Sequence, residues 1–388
     1  MAIFLCVLIT NNFVVQTLKD MHRNVYKLAI FINFFLFFSY KIFAQNQPVK
    51  HSGPKQTVNY SETGLFGSDS MMHIKLAGRL NELFTDRKNN MVYHPLLLQY
   101  EGKDSNIVSI SIKAKARGNF RRLKENCKWP PIMLNFPPNE SAKNSIFRDQ
   151  HKLKLVVPCQ GDEYVVKEWL VYKLYNLITE KSFRARLVQV EFEDSLQQRK
   201  TETYYCILLE DEKQMAQRDK AELIDKKMIK MEQTNIPAFT KMAVFQYMIG
   251  NTDWSVPYLQ NIKLLSLNPK EFPYAVPYDF DHAGIVNAPY AGAAPELEIS
   301  SILERVYRGY CNNDQLSFAE TFELFNKLKD NFYNVYKNCP LLSAKYVKFV
   351  TKFLDDFYKT INNTKSVEAE FKKPCTTNIR IELKGLKD

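Results

Sequence analysis

Between residues 91 and 210 the apolar positions recur mostly at every second residue, and beyond residue 211 they recur at every third or fourth. A period of two marks strands with one buried face, and a period near 3.6 marks helices with an apolar stripe. The alternation predicts strands over residues 91–100, 107–116, 132–136, 152–157, 187–192 and 203–210. The run from Ile107 to Arg117 alternates most cleanly and places Lys113, Lys115 and Arg117 on one basic face. A polar turn at residues 194–200 joins the last two strands and makes them a hairpin. Helical spacing covers residues 73–84, 164–179, 239–249, 318–328 and 344–361. In the second of these, Val166, Leu170, Leu174 and Leu177 form a stripe that Trp169 and Tyr172 widen, so burial on two sides is expected. Two short strands, over residues 261–265 and 274–280, interrupt the helical half as a small hairpin. A strand-rich part at residues 63–210 followed by a helical part at 211–388 is an α+β arrangement with two lobes.

With 388 residues and 45% apolar composition, the chain has enough material for a large core. Its formal net charge of +11 is spread along the sequence and favours anionic partners without choosing among them. Zinc-finger spacing, a basic heptad region and an RNP-type aromatic signature are all missing, so nucleic acid is not an expected partner. Near the start, Met21-His-Arg-Asn-Val-Tyr-Lys precedes an apolar run of 13 residues and then Ala44, the layout of a cleavable export signal over residues 1–44. The run falls short of the roughly 20 residues a bilayer span requires, although an uncleaved anchor is the other reading. The residues before Met21 read as an upstream or over-extended start. Polar residues 45–62 then form a flexible leader, and any membrane contact is expected only through the signal segment. Six of the seven cysteines follow Ala44, an even count that suits an oxidising compartment, and Cys127 with Cys159 is the first pairing expected.

The candidate chemistry lies in the helical half. Gly250 ends a helix and lets the chain turn, which puts Asp253 on a loop at a helix terminus. Asn261 opens one strand of the small hairpin, and Asp279 and Asp281 end the other. If the strand continued, the two carboxylates would share a face about 7 Å apart, with Phe280 on the opposite face. Carboxylates with an amide suit a hard cation such as magnesium beside phosphates. Phosphoryl transfer uses such parts, with one aspartate to orient the attacking hydroxyl and an Asn and an Asp on the metal. No HExxH, GxSxG, Walker or dinucleotide motif occurs, and His282 reads as a packing residue.

On these residues the chain resembles the CotH-type secreted, protein-kinase-like family. The resemblance rests on Arg117-Gly118-Asn119, Lys152-Leu153-Lys154-Leu155, the helix at residues 165–178, Tyr204 to Glu210, Gly250 to Trp254, Asn261, and Pro277 to Asp281, together spanning about residues 107 to 290. It implies a bilobal protein-kinase-like fold that binds ATP with magnesium or manganese, is exported, and transfers the γ-phosphate to a hydroxyl, with protein Ser or Thr favoured. It further implies that Asp253 is the catalytic-loop aspartate and that Asn261 and Asp279 are metal ligands, with Asp281 sharing or replacing the latter role. Lys154, or alternatively Lys152, would meet the phosphates, Glu168 would be the partner glutamate on the helix, and Glu210 would lie by the strand linking the lobes. The chain departs from kinases in having no GxGxxG loop and no His-Arg-Asp triplet, and Cys206 stands where the family has glycine. A phosphate cradle must therefore use side chains such as Lys113, Lys115 or Arg117. Two other readings stay open: a catalytically inactive scaffold of the cell envelope, and an AMP-transferring enzyme on the same fold.

Overall fold

The chain's computed structural model describes residues 64–372 apart from 103–104, 139, 293–296, 298 and 310–314. The expected export signal and leader, with Cys311 and Cys375, lie outside the described residues. The first part of the fold runs β1 (Met72–Gly78), α1 (Leu80–Thr85), β2 (His94–Glu101), β3 (Ile107–Ala116), β4 (Ile132–Asn135), α2 (Glu140–Lys143), β5 (Lys152–Val156), α3 (Glu163–Ile178), β6 (Ala185–Asp194) and β7 (Glu202–Leu209). Its seven strands close into a barrel in the order β1-β2-β3-β4-β5-β7-β6. Every pairing is antiparallel except the closing one, where β1 runs parallel to β6 from Met72 opposite Val188 to Gly78 opposite Asp194. The second part runs α4 (Glu212–Arg218), β8 (Glu222–Ile224), α5 (Ile236–Ile249), β9 (Ile262–Ser266), β10 (Tyr274–Pro277), α6 (Gln315–Lys327), α7 (Lys329–Lys337) and α8 (Ala344–Ile361), with β8, β9 and β10 in a separate antiparallel sheet. The chain is thus mixed α and β, strands first and helices later. Among the described residues no helix is long and apolar enough to cross a membrane.

The two-residue period explains how the barrel joins the rest. On β5, Leu153 and Leu155 point into the barrel, while Lys154 and Val156 point outward. β7 repeats this, with Cys206 and Leu208 inside and Ile207 and Leu209 outside. Helix α3 covers the outward face and packs its other side on the helical part, so Val166, Leu170, Tyr172 and Leu174 are all buried, as its widened stripe predicts. Leu177 departs from that stripe and is exposed. Helix α8 is the simple amphipathic case: Val350, Phe353, Leu354, Phe357 and Ile361 fall on one buried face, and Ser343 caps it by accepting from the Tyr346 N–H at 3.2 Å.

Three expectations are corrected. Residues 73–84 are not one helix: Met72, Ile74 and Leu76 alternate inward as β1, and only the segment after Gly78 is helical. The helical part expected from residue 211 holds a third short strand, β8, besides the two of the small hairpin. Strand β10 stops at Pro277, and Asp279 adopts a left-handed backbone at φ 61°, so Asp279 and Asp281 belong to a turn rather than a strand.

Candidate active site

Helix α5 ends at Gly250, whose φ of 66° is left-handed, and a Cβ there would sit 3.1 Å from the Phe353 ring. The Gly250 carbonyl accepts the Gly284 N–H at 2.9 Å, and the next turns are fixed by side chains. The Asp253 N–H donates to the Asn251 side chain at 3.1 Å, and the buried Arg308 donates to the carbonyls of Thr252 and Trp254. Asp253 is therefore held on a rigid loop. Asn261, itself at φ 50°, donates its Nδ2 to the Asp253 Oδ2 at 2.9 Å and to the Asp253 carbonyl at 2.9 Å. That orientation leaves the Asn261 side-chain oxygen for another ligand. Gln260 reaches the Asp253 Oδ1 at 3.4 Å.

The Asp279 turn is anchored by its neighbours. Phe280 is fully buried against the rings of Tyr172 at 4.8 Å and Phe245 at 5.8 Å. Burial of such a ring is worth roughly 2–3 kcal/mol, more than the ~1–2 kcal/mol that a left-handed residue costs. The strained backbone of Asp279 is therefore affordable. Helix α3 also grips the turn directly: Tyr172 Oη accepts the Asp279 N–H at 2.9 Å, and Glu168 accepts the Phe280 N–H.

These elements line a cavity of about 210 Å³, walled by Arg117, Phe120, Arg121, Asp253, Asn261, Asp279, Asp281 and His282, among others. Burial, and after it Asp281, pushes the Asp279 carboxyl up to about 6 against the pull of Arg121 and Arg117. Burial raises Asp253 as well, opposed by His282. Burial, with Asp281 and Asp279 behind it, holds Glu168 well above the usual carboxylate range. Lys154 is buried beside the cleft, with Nζ 3.7 Å from Glu212 and 4.9 Å from the centre of the Tyr278 ring; burial and then Arg117 lower its pKa to about 8. One wall is thus cationic and the other acidic.

Of the residues singled out in the sequence, Arg117, Asp253, Asn261, Asp279 and Asp281 meet in this cavity. Lys152 shares the outward face of β5 with Lys154 but is exposed at the strand's first position, whereas Lys154 is buried. Glu168 does not pair with Lys154, whose carboxylate partner is Glu212; the cation beside Glu168 is Arg121. The Glu210 carboxylate is held by Arg218 at 3.1 Å and by the Arg184 N–H at 2.9 Å, and its own N–H donates to the Arg184 carbonyl at 2.9 Å, so Glu210 ties β7 to the segment before β6. The sequence did not point to Arg121, which lines the cavity, to Tyr290, which donates to Asp281, or to Arg308, which holds the Asp253 loop; His282, read as packing, lies against the Phe120 and Tyr290 rings and also lines the cavity. The signal for Arg121 was its place in the Arg117-Gly-Asn-Phe-Arg-Arg turn. The expected pairing of Cys127 with Cys159 is present, its Cα atoms 4.6 Å apart.

Among the described residues no three His, Cys, Asp or Glu side chains form a metal cage. Magnesium beside a nucleotide does not require one, since one or two carboxylates with phosphate and water oxygens suffice. Asp279, whose carboxylate accepts no hydrogen bond among the described residues, and the uncommitted oxygen of Asn261 fit such an ion.

No family model matches this chain, and no curated protein matches it. Among solved structures the chain is similar to the Helicobacter pylori proinflammatory kinase CtkA, with 13% identity, a TM-score of 0.38, and coverage of 66% of this chain and 95% of that one.

Proposed function

We propose that the cleft binds ATP with magnesium or manganese and transfers the γ-phosphate to a hydroxyl, as a kinase-like enzyme of the CotH type would. The reading rests on one observation above the others: Asn261 is hydrogen-bonded to the Asp253 carboxylate at 2.9 Å in a cavity that Asp279 and Arg117 also line. Arg117 and Lys154 supply the positive wall that phosphates need. The metal, when bound, neutralises phosphate charge, and Asp279 and Asn261 are the residues that would hold it. Asp253 takes the proton of the attacking hydroxyl, a role suited to a buried carboxylate whose pKa is raised. The acceptor class we favour is protein Ser or Thr, and the setting is extracytoplasmic, in keeping with the Met21–Ala44 signal layout and the Cys127–Cys159 bridge.

The test is a thermal-shift titration with ATP and either metal. A ligand that binds only the folded state must raise the melting temperature. A rise that needs the metal and disappears in Asp279→Ala is the expected result. A folded protein that shifts with neither metal would overturn the proposal. Where binding is present, the mass added to an acceptor separates phosphate transfer from AMP transfer.

A further inference from the structure

Three carboxylates, those of Asp253, Asp279 and Asp281, line the acidic side of the cleft, with the buried Glu168 close to the last two, and a bound cation has to meet a defined subset of them. Buried carboxylates require partners, so the way the protein's own donors are shared out decides which oxygens remain. Asp253 is held by Asn261 and Gln260. Asp281 is 3% exposed, and its Oδ2 accepts from the Tyr290 hydroxyl at 3.1 Å and faces Arg121 Nη1 at 3.5 Å. Glu168 is 1% exposed and accepts the Phe280 N–H, yet among the described residues its Oε1 has no partner, and Arg121 Nε is likewise buried without one. The Arg121 guanidinium lies 5.9 Å from the centre of the Tyr290 ring and also donates to the Val157 carbonyl.

Arg121 is not a loose surface cation. It sits in the 3-10 turn Phe120–Arg122, whose segment is braced from three sides. Arg87 donates to the carbonyls of Arg122 at 3.2 Å and Cys127 at 2.8 Å, Asn126 donates to the Phe120 carbonyl at 2.8 Å, and the Cys127–Cys159 bridge ties the segment to the link between β5 and α3.

Building on the phosphoryl-transfer reading, we infer that Arg121 is a positioning residue: it commits Asp281 to the protein and leaves Asp279, with Asn261, as the ligands of the metal that accompanies the nucleotide. Asp281 then serves as a counter-ion and hydrogen-bond acceptor rather than a metal ligand. Arg121 itself need not touch the nucleotide.

The experiment measures the Mn2+ concentration that gives half of the melting-temperature rise at saturating ATP. Asp279→Asn is expected to weaken this midpoint by more than about 100-fold, and Asp281→Asn by about 10-fold, the range for an outer partner of a metal site. Arg121→Met frees Asp281, so adding it to Asp279→Asn is expected to bring back a Mn2+ response that Asp279→Asn alone lacks. A merely structural arginine would not do this. Arg121→Lys keeps the charge and should hold the wild-type midpoint more closely than Arg121→Met. Equal losses in Asp279→Asn and Asp281→Asn would overturn the inference while leaving the nucleotide site intact, and so would a folded double variant with no regained response. If the wild-type protein shows no response to ATP with Mn2+, the nucleotide reading fails and this inference falls with it.

Discussion

Asp253 and Lys154 show how far single side chains can be tested. In Asp253→Asn the loop contacts from Asn251 and Arg308 remain, because they are made to the backbone. The metal-dependent thermal shift should therefore survive while turnover falls by about 10²–10⁴-fold, the usual contribution of a general base; turnover equal to wild type would remove Asp253 from that role. Lys154 carries a different prediction. Its folded pKa of about 8 lies below the ordinary value of 10.5, so the folded state binds fewer protons than the unfolded chain between those two values. Stability then rises with pH across that window, and the penalty is fully present below it. Lys154→Met should stabilise the ligand-free protein at pH 7 by roughly 1–3 kcal/mol, flatten the rise between pH 8 and 10.5, and weaken the ATP response. Urea titrations at several pH values check the first two parts, and a destabilised Lys154→Met would show that the lysine is held by its pairing with Glu212 instead. Asp253, Asn261 and Asp279 were legible in the sequence because Asp and Asn so close to buried aromatics need a reason to be there. Arg121 was not, since its partner Asp281 lies 160 positions along the chain and no local pattern connects them.

At the scale of elements, the segment between β3 and β4 is the least regular part of the site and the most heavily braced. The Cys127–Cys159 bridge closes a separation of 32 residues, and removing such a cross-link costs about 2–4 kcal/mol. Cys127→Ser with Cys159→Ser should lower the unfolding free energy measured by urea titration by that amount and reduce the ATP response as well, because Arg117 and Arg121 stand just before the bridged Cys127. Loss of stability with a full ATP response would show that Arg87 and Asn126 hold the turn without the bridge. Strands β2 to β7 were readable from the two-residue alternation, and α8 from its helical spacing. The first strand was misread because Leu76, Leu80, Leu83 and Phe84 also fit a helical spacing, and Gly78 divides the two patterns without announcing it. The Asp279 turn was misread as strand because its conformation is imposed from outside, by the burial of Phe280 and by the Tyr172 hydroxyl.

For the whole molecule, a strand-rich half and a helical half would be expected to unfold separately if each had its own core. The residues on β5, β6 and β7 argue otherwise. Leu155, Val190 and Leu208 belong to the barrel interior, while Val156, Leu187, Ile207 and Leu209 on the same strands belong to the core shared with α3, α5 and α8. Neither core can melt without pulling apart strands that the other also uses. The three tryptophans of the chain report on this directly, since Trp129 packs in the barrel core, Trp254 is buried in the helical core, and Trp169 flanks the latter on α3. Urea unfolding followed by fluorescence in Trp254→Phe and in Trp129→Phe should therefore give transitions that coincide with each other and with far-UV circular dichroism, once each is referred to that variant's own stability. Two separated transitions within one variant would mean that the alternating strands do not couple the halves. The cleft would then join two independently stable bodies, and nucleotide binding would have to supply the coupling that the ligand-free packing lacks.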